Sequence, residues 1–133
     1  MQTRELVAAL STGIPAQRVL FHEQDIAPYE CDGLTMYKTR PQVVVLPETR
    51  EEVCHVLRTC KNLVVPVVAR GAGTGLSGGA LPHAEGVLLV MTKFNQILDI
   101  DADARTARVE PGVRNLAISE AVSHLDLYYA PDP

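Results

Sequence analysis

Glycines are concentrated in one short stretch of this chain, where five of the nine lie between Gly71 and Gly79. An apolar run ending in Arg70 comes directly before them. Glycine accepts positive φ and lets another molecule approach the main chain closely, at a high cost in backbone entropy. Successive N–H groups in such a loop can form a nest for an anion, with Arg70, Thr74 and Ser77 adding a charge and two hydroxyl donors. The stretch therefore predicts a site for a phosphate or diphosphate.

We name Arg70–Gly79 the glycine loop and expect most of it to bind the ligand. A tight turn with no ligand is the alternative, but five glycines behind an arginine favour binding. We predict neither a catalytic residue nor a metal ligand in this chain. The predicted binding residues are Arg70, Gly71, Ala72, Gly73, Thr74, Gly75, Leu76, Ser77 and Gly78.

Two common phosphate-binding motifs do not fit the surroundings of the loop. Gly73–Gly78 matches the G-x-G-x-x-G fingerprint of Rossmann folds, and Asp99 lies about twenty residues farther on. Only seven residues separate Gly79 from Val87, which leaves no room for the helix that should hold a pyrophosphate. A Walker A motif is excluded because Gly78 is followed by glycine and alanine. The loop N–H groups must therefore bind without a long helix.

Other reactive side chains are interpreted as structural. The four histidines are widely spaced, and the cysteines form neither a CxxC pair nor a zinc or iron–sulfur spacing. Asp101 and Asp103 suit a turn rather than an acid–base pair. Only His83, just after the loop, is expected near the phosphates of a ligand. The residues considered are His22, His55, His83, His124, Cys31, Cys54 and Cys60.

Composition is that of a globular domain of 133 residues, with 47% hydrophobic and 21% charged residues. The net charge of -4 argues against a nucleic-acid partner. We find no secretory signal and no apolar run long enough to span a bilayer, and the odd cysteine count suits a reducing compartment. A cytoplasmic location is therefore expected.

The elements that must position the loop follow from local patterns. Val43–Leu46 has the pattern of a strand buried on both faces, and the next strand is expected near Val64–Ala69. Between them, Thr49 and Glu52 form a capping-box signature. The helix that follows should bury Val53, Val56, Leu57 and Cys60 on one face. This strand–helix–strand unit predicts parallel strands, with the glycine loop at a carboxyl end.

The remaining patterns predict a mixed α+β fold, with a small parallel βαβ core leading into a mixed sheet. Residues 1–40 form a helical and irregular segment, and residues 41–133 form the main domain. The other predicted elements are a helix over Arg4–Leu10, strands at Val87–Met91, Ile97–Ile100 and Thr106–Glu110 with a turn at 101–104, a helix over Val113–Ser123 and a short strand at Leu127–Tyr129.

Several separated strings also resemble one family. They are Pro41–Pro47, Pro66–Gly79, Val109–Val113, Tyr29–Gly33 and Tyr128–Pro133. Together they resemble the FAD-binding domain of the vanillyl-alcohol oxidase and p-cresol methylhydroxylase (PCMH) superfamily, in particular its bacterial glycolate oxidase flavoprotein branch. The resemblance implies an N-terminal PCMH-type subdomain whose glycine loop cradles the FAD diphosphate. Some branches attach flavin through a histidine where this chain has Thr74, so non-covalent FAD is implied.

The resemblance further implies oxidation of a 2-hydroxy acid such as glycolate by a longer parent enzyme. Its partners would be a related flavoprotein subunit and an iron–sulfur subunit, through which it would associate peripherally with a membrane. The rest of the flavin domain and the substrate domain would lie beyond Pro133. We therefore expect this chain alone to be inactive, to bind FAD weakly or not at all, and to self-associate through exposed apolar surface. A non-catalytic module for a phosphate ligand or a protein partner is the alternative.

Overall fold

In the computed structural model, residues 3–131 are described. The chain divides into two compact units, one ending at Lys93 and the other beginning at Phe94. The predicted division after residue 40, between the N-terminal segment and the main domain, stays a prediction.

The first unit contains helices and strands in alternation, joined by irregular segments. Short 3₁₀ turns precede β1 and follow α2. In chain order its elements are α1 (Thr3–Leu10), β1 (Val19–Leu20), α2 (Glu23–Ile26), β2 (Val43–Val45), α3 (Arg50–Leu63), β3 (Val67–Arg70) and β4 (Val87–Val90).

The four strands form one sheet in the order β1-β2-β4-β3. β2 and β3 each pair with β4 in parallel, so that Val87 lies opposite both Val43 and Val67. β1 pairs with β2 in the antiparallel direction. The predicted parallel unit β2–α3–β3 is present, with β4 inserted between its two strands. A mixed sheet flanked by helices confirms the α+β fold.

The two central strands, β2 and β4, are buried on both faces, which the apolar run had predicted for β2. Alternate residues point to opposite sides of a strand, so each face has its own apolar cluster. One cluster joins Val43, Val45 and Leu89 to helices α1 and α3, through residues that include Leu6 and Val56. The other cluster is Val44, Leu88, Val90 and Ile26. Each fully buried side chain contributes about 1.5–3 kcal/mol, and these clusters fix the sheet that carries the glycine loop.

Helix α3 begins at the predicted capping box. Thr49 Oγ1 accepts from the N–H of Glu52, and the Glu52 carboxylate accepts from the N–H of Thr49. Val56 and Cys60 are buried as predicted, but Leu57 is 46% exposed, so its assignment to the buried face was wrong. The predicted start of β3 at Val64 was also wrong, because Val64 caps α3 in the left-handed conformation and the strand begins at Val67.

The second unit contains the predicted hairpin and helix. Its elements are β5 (Ile97–Asp101), β6 (Thr106–Val109) and α4 (Asn115–Val122). β5 and β6 pair in the antiparallel direction, and Asp101 Oδ1 accepts from the N–H of Ala104 in the turn. The short strand predicted at Leu127–Tyr129 was wrong, since these residues have no strand partner within residues 3–131.

Candidate functional site

The glycine loop leaves the carboxyl end of β3, where the sequence placed it. Gly73 and Gly78 have φ of +76° and +77°, in the left-handed region that glycine adopts without strain. The other loop glycines do not need that region. A Cβ built on Gly75 meets no protein atom within 4 Å, so the space beside this glycine is open to a ligand.

A run of main-chain donors lines this loop. Among residues 3–131, no group accepts a hydrogen bond from the N–H groups of Ala72 through Ser77. Thr74, Gly75, Leu76 and Ser77 are exposed to solvent. Six consecutive N–H groups with free hydrogen-bonding capacity, at glycines that admit close approach, are the donor set that a diphosphate requires. The residues present therefore fit an anionic phosphate group.

Arg70 binds the protein main chain. Its guanidinium donates to the carbonyl oxygens of Cys31 and Ala72, both at 3.0 Å, and to that of Tyr29 at 3.4 Å. The guanidinium carbon also lies 5.8 Å from the centre of the Tyr29 ring. A Cβ on Gly73 would overlap this guanidinium. Arg70 therefore joins the start of the loop to residues 29–31, a role that the sequence analysis did not foresee.

Residues 31–33 also contact the loop, and the sequence analysis gave them no role. Asp32 is 5% exposed, and its Oδ2 accepts from the N–H of Gly78 at 2.9 Å. The N–H of Gly33 donates to Gly75 O at 3.0 Å. We name Cys31–Gly33 the anchor segment. The available signals were an aspartate followed by glycine within an irregular stretch and the place of these residues in the family string Tyr29–Gly33.

The remaining candidates have structural surroundings. His55 Nε2 lies 3.1 Å from Leu10 O, and its ring fills the space beside Gly13. His83 Nδ1 accepts from the N–H of Glu85 at 3.1 Å, and its expected proximity to ligand phosphates stays a prediction. Burial raises the pKa of the Cys60 thiol to about 11. No group of three potential metal-ligating side chains occurs in the part of the chain that the structure describes.

The first unit is thus an α+β domain from which an exposed glycine loop presents main-chain N–H groups, with no helix between the loop and β4. The crystal structure of p-cresol methylhydroxylase with substrate bound has this fold, with a TM-score of 0.81 and 25% identity, over 93% of this chain and 25% of that one. The model of the FAD binding domain family matches residues 41–133. This chain belongs to that family, within the vanillyl-alcohol oxidase and PCMH superfamily, and FAD is its cofactor.

Two curated relatives match nearly all of this chain. The glycolate oxidase subunit GlcD of Escherichia coli K12 is 59% identical over 96% of this chain and 26% of its own length. The D-lactate dehydrogenase of Anaerostipes hadrus is 34% identical over 90% of this chain and 26% of its own length. The chain thus spans about a quarter of the length of these relatives. Among residues 3–131, no helix is both long and apolar enough to cross a membrane.

Proposed function

We propose that this chain forms the diphosphate-binding part of the FAD site in a 2-hydroxy-acid oxidoreductase that converts glycolate to glyoxylate. The observation that carries the proposal is the run of six N–H donors from Ala72 to Ser77 that have no acceptor among residues 3–131, in a chain that belongs to an FAD-binding family. Each charge-assisted hydrogen bond to a phosphate contributes about 1.5–3 kcal/mol, so a few of them hold a diphosphate firmly.

The nine predicted residues divide into two roles under this proposal. Ala72 to Ser77 supply donors, and Gly75 leaves room for close approach of the ligand. Arg70 and Gly78 hold the two ends of the stretch through their contacts with the anchor segment. Gly71 connects the end of β3 to the first of these donors. When bound, FAD supplies the acceptor for a hydride from a 2-hydroxy acid.

FAD is held without a covalent bond in this proposal. By the family resemblance, Thr74 stands where other branches of the superfamily carry the attaching histidine, and Arg70–Gly79 contains neither histidine nor cysteine. Acid precipitation tests this directly, because it releases non-covalent flavin into the supernatant. Flavin that stays with the precipitated protein would contradict the proposal.

Glycolate is favoured as substrate because the relative with 59% identity is a glycolate oxidase subunit, while a D-lactate dehydrogenase is 34% identical. The full-length, FAD-loaded gene product should therefore reduce an artificial dye with glycolate at a higher kcat/KM than with D-lactate. A clear preference for D-lactate would overturn the substrate assignment and leave the FAD site intact. No reduction by any 2-hydroxy acid would overturn the reaction.

We extend the proposal to the assembly. The glycolate oxidase relative is a subunit, which favours partner subunits for this chain as well. We propose that these partners are a related flavoprotein and an iron–sulfur protein. The assembly would lie in the cytoplasm, and any contact with a membrane would be made through the partners. The 133-residue chain alone is proposed to be inactive, because it spans 26% of the length of that relative. Affinity purification of the tagged full-length protein tests the first point. Recovery of a single polypeptide with full dye-linked activity would contradict it.

A further inference from the structure

The anchor segment contacts the glycine loop at its beginning, its middle and its end. The carbonyl oxygen of Cys31 accepts from Arg70 Nη1 at 3.0 Å. The N–H of Gly33 donates to Gly75 O at 3.0 Å. Asp32 Oδ2 accepts from the N–H of Gly78 at 2.9 Å. Three consecutive residues thus hold three points of a loop about forty positions farther along the chain.

The Asp32 carboxylate is built into this contact. It is 5% exposed, and no other charged residue among residues 3–131 is buried to this degree. Its two oxygens accept from different N–H groups, Oδ1 from Leu34 at 3.0 Å and Oδ2 from Gly78. Burying a carboxylate is costly unless hydrogen bonds compensate, so two bonds from N–H groups keep this one in place. The bond from Leu34 stabilises the local turn, and the bond from Gly78 holds the glycine loop.

Gly33 brings the two backbones into direct contact. A Cβ built on Gly33 would lie 2.5 Å from Thr74 O and 3.1 Å from Gly75 O. Both atoms belong to the main chain, so relief requires the loop itself to shift. The absence of a side chain at residue 33 is therefore a condition for the observed loop position.

We propose that Asp32 is a positioning residue for FAD, which fixes Gly78 so that the N–H groups of Ala72–Ser77 face the diphosphate together. The proposal rests on the proposed function of the loop. Fixing a loop before binding lowers the ordering entropy that the ligand must otherwise offset. Because the Gly78 N–H is donated to Asp32, Gly78 acts through loop geometry and supplies no main-chain donor to the phosphates.

Asp32→Ala and Asp32→Asn in the full-length gene product test the proposal. Alanine removes both acceptors, while asparagine keeps the shape with a single acceptor oxygen and an amide that cannot accept. FAD affinity is measured by flavin fluorescence, and ADP serves as a competitor that carries a diphosphate without the flavin ring. The thermal midpoint of the apoprotein is recorded for each variant. Asp101→Ala is the matched control, because Asp101 also accepts a main-chain N–H in a turn but lies outside the loop.

Asp32→Ala should weaken FAD and ADP by the same factor, about tenfold to a hundredfold, with Asp32→Asn intermediate and Asp101→Ala within about twofold of wild type. If Asp32→Ala does not fold, Asp32→Asn decides. Wild-type affinity in Asp32→Asn overturns the positioning role, and so does a loss of affinity that merely follows a lower apoprotein midpoint. Failure of wild-type protein to bind FAD would overturn the proposed function instead.

Discussion

The main-chain N–H of Gly78 donates to the buried carboxylate of Asp32 at 2.9 Å, across 46 positions of sequence. This contact holds the C-terminal end of the glycine loop, and the hydrogen bond from Arg70 to the carbonyl oxygen of Cys31 holds its N-terminal end. The donors that remain for a diphosphate therefore lie between the two anchored ends. The proposed site is a stretch of main chain held at both ends, and we expect its backbone to contribute more to binding than its side chains.

Gly75→Ala tests close approach of the cofactor. The added methyl group meets nothing within 4 Å in the protein, and the φ of Gly75 lies outside the left-handed region, so the fold should be unaffected or slightly stabilised. We expect FAD affinity to fall at least about tenfold, because the methyl group occupies the space in which the diphosphate approaches. Flavin fluorescence and the apoprotein melting temperature measure the two effects. Unchanged affinity would place the diphosphate elsewhere.

Gly73→Ala should behave differently, although it lies only two residues away. At φ of +76° a Cβ is strained, and it would also overlap the Arg70 guanidinium. We expect a loss of about 1–2 kcal/mol in the free energy of unfolding together with loss of FAD binding. Chemical denaturation of the apoprotein provides the measurement. A variant as stable as wild type would show that the left-handed conformation is not required.

Arg70→Lys separates a charge from a set of hydrogen bonds. Lysine keeps the positive charge but lacks the planar group that reaches three carbonyl oxygens at once. We expect FAD affinity to fall about tenfold because the start of the loop is released. Arg40→Lys, at an exposed ion pair, is the control and should leave the affinity unchanged. Full affinity in Arg70→Lys would mean that charge alone suffices.

Glu52→Gln should make stability less dependent on acid. Hydrogen bonds from Arg18 hold the pKa of Glu52 near 2, below its ordinary 4.5, although burial acts in the opposite direction. A lowered pKa stabilises the folded state above pH 4.5, and that contribution is lost as the pH falls toward 2. We expect the variant to be about 2 to 3 kcal/mol less stable at pH 7, with the difference vanishing near the lower pH.

Urea denaturation at several pH values measures this difference. Glu51→Gln lies in the same helical turn but is exposed, so its cost should stay below about 1 kcal/mol at every pH. A constant difference between wild type and Glu52→Gln from neutral to acid pH would contradict the assignment of the low pKa to the Arg18 contact.

Val64→Gly should stabilise the protein. Val64 has φ of 55° at the end of α3 and is 89% exposed, so glycine removes strain and sacrifices little packing. We expect a gain of about 0.5–1 kcal/mol, whereas Arg58→Gly in the exposed interior of the same helix should cost about 1 kcal/mol. Thermal denaturation of both variants checks the opposite signs. Equal losses would show that the left-handed cap carries no strain.

Local signals in the sequence were sufficient for much of the fold. The capping box at Thr49 and Glu52, the apolar run in β2 and the turn after Asp101 involve residues a few positions apart, and all were confirmed. The predicted strand at Leu127–Tyr129 was wrong because a strand needs a partner, which a local pattern does not reveal. The insertion of β4 between β2 and β3 is likewise a property of the whole sheet.

The candidate site was likewise predicted only where its signal is local in the sequence. The glycine cluster marked the loop because its composition is local. The partners of the loop were missed, since Asp32 contacts Gly78 across 46 positions and no periodicity links the two. Arg70 was assigned to the ligand from its charge, and its carbonyl contacts became visible only once residues 29–31 were placed beside it.

Titration of FAD into the purified 133-residue chain, with the full-length gene product alongside, tests the central claim most directly. We predict saturable binding to the full-length protein that inorganic pyrophosphate and ADP compete away and that Gly75→Ala weakens, with much weaker binding to the shorter chain. Full-length protein that binds FAD with equal affinity in the Gly75→Ala variant, and without competition by either diphosphate, would contradict the assignment of the glycine loop.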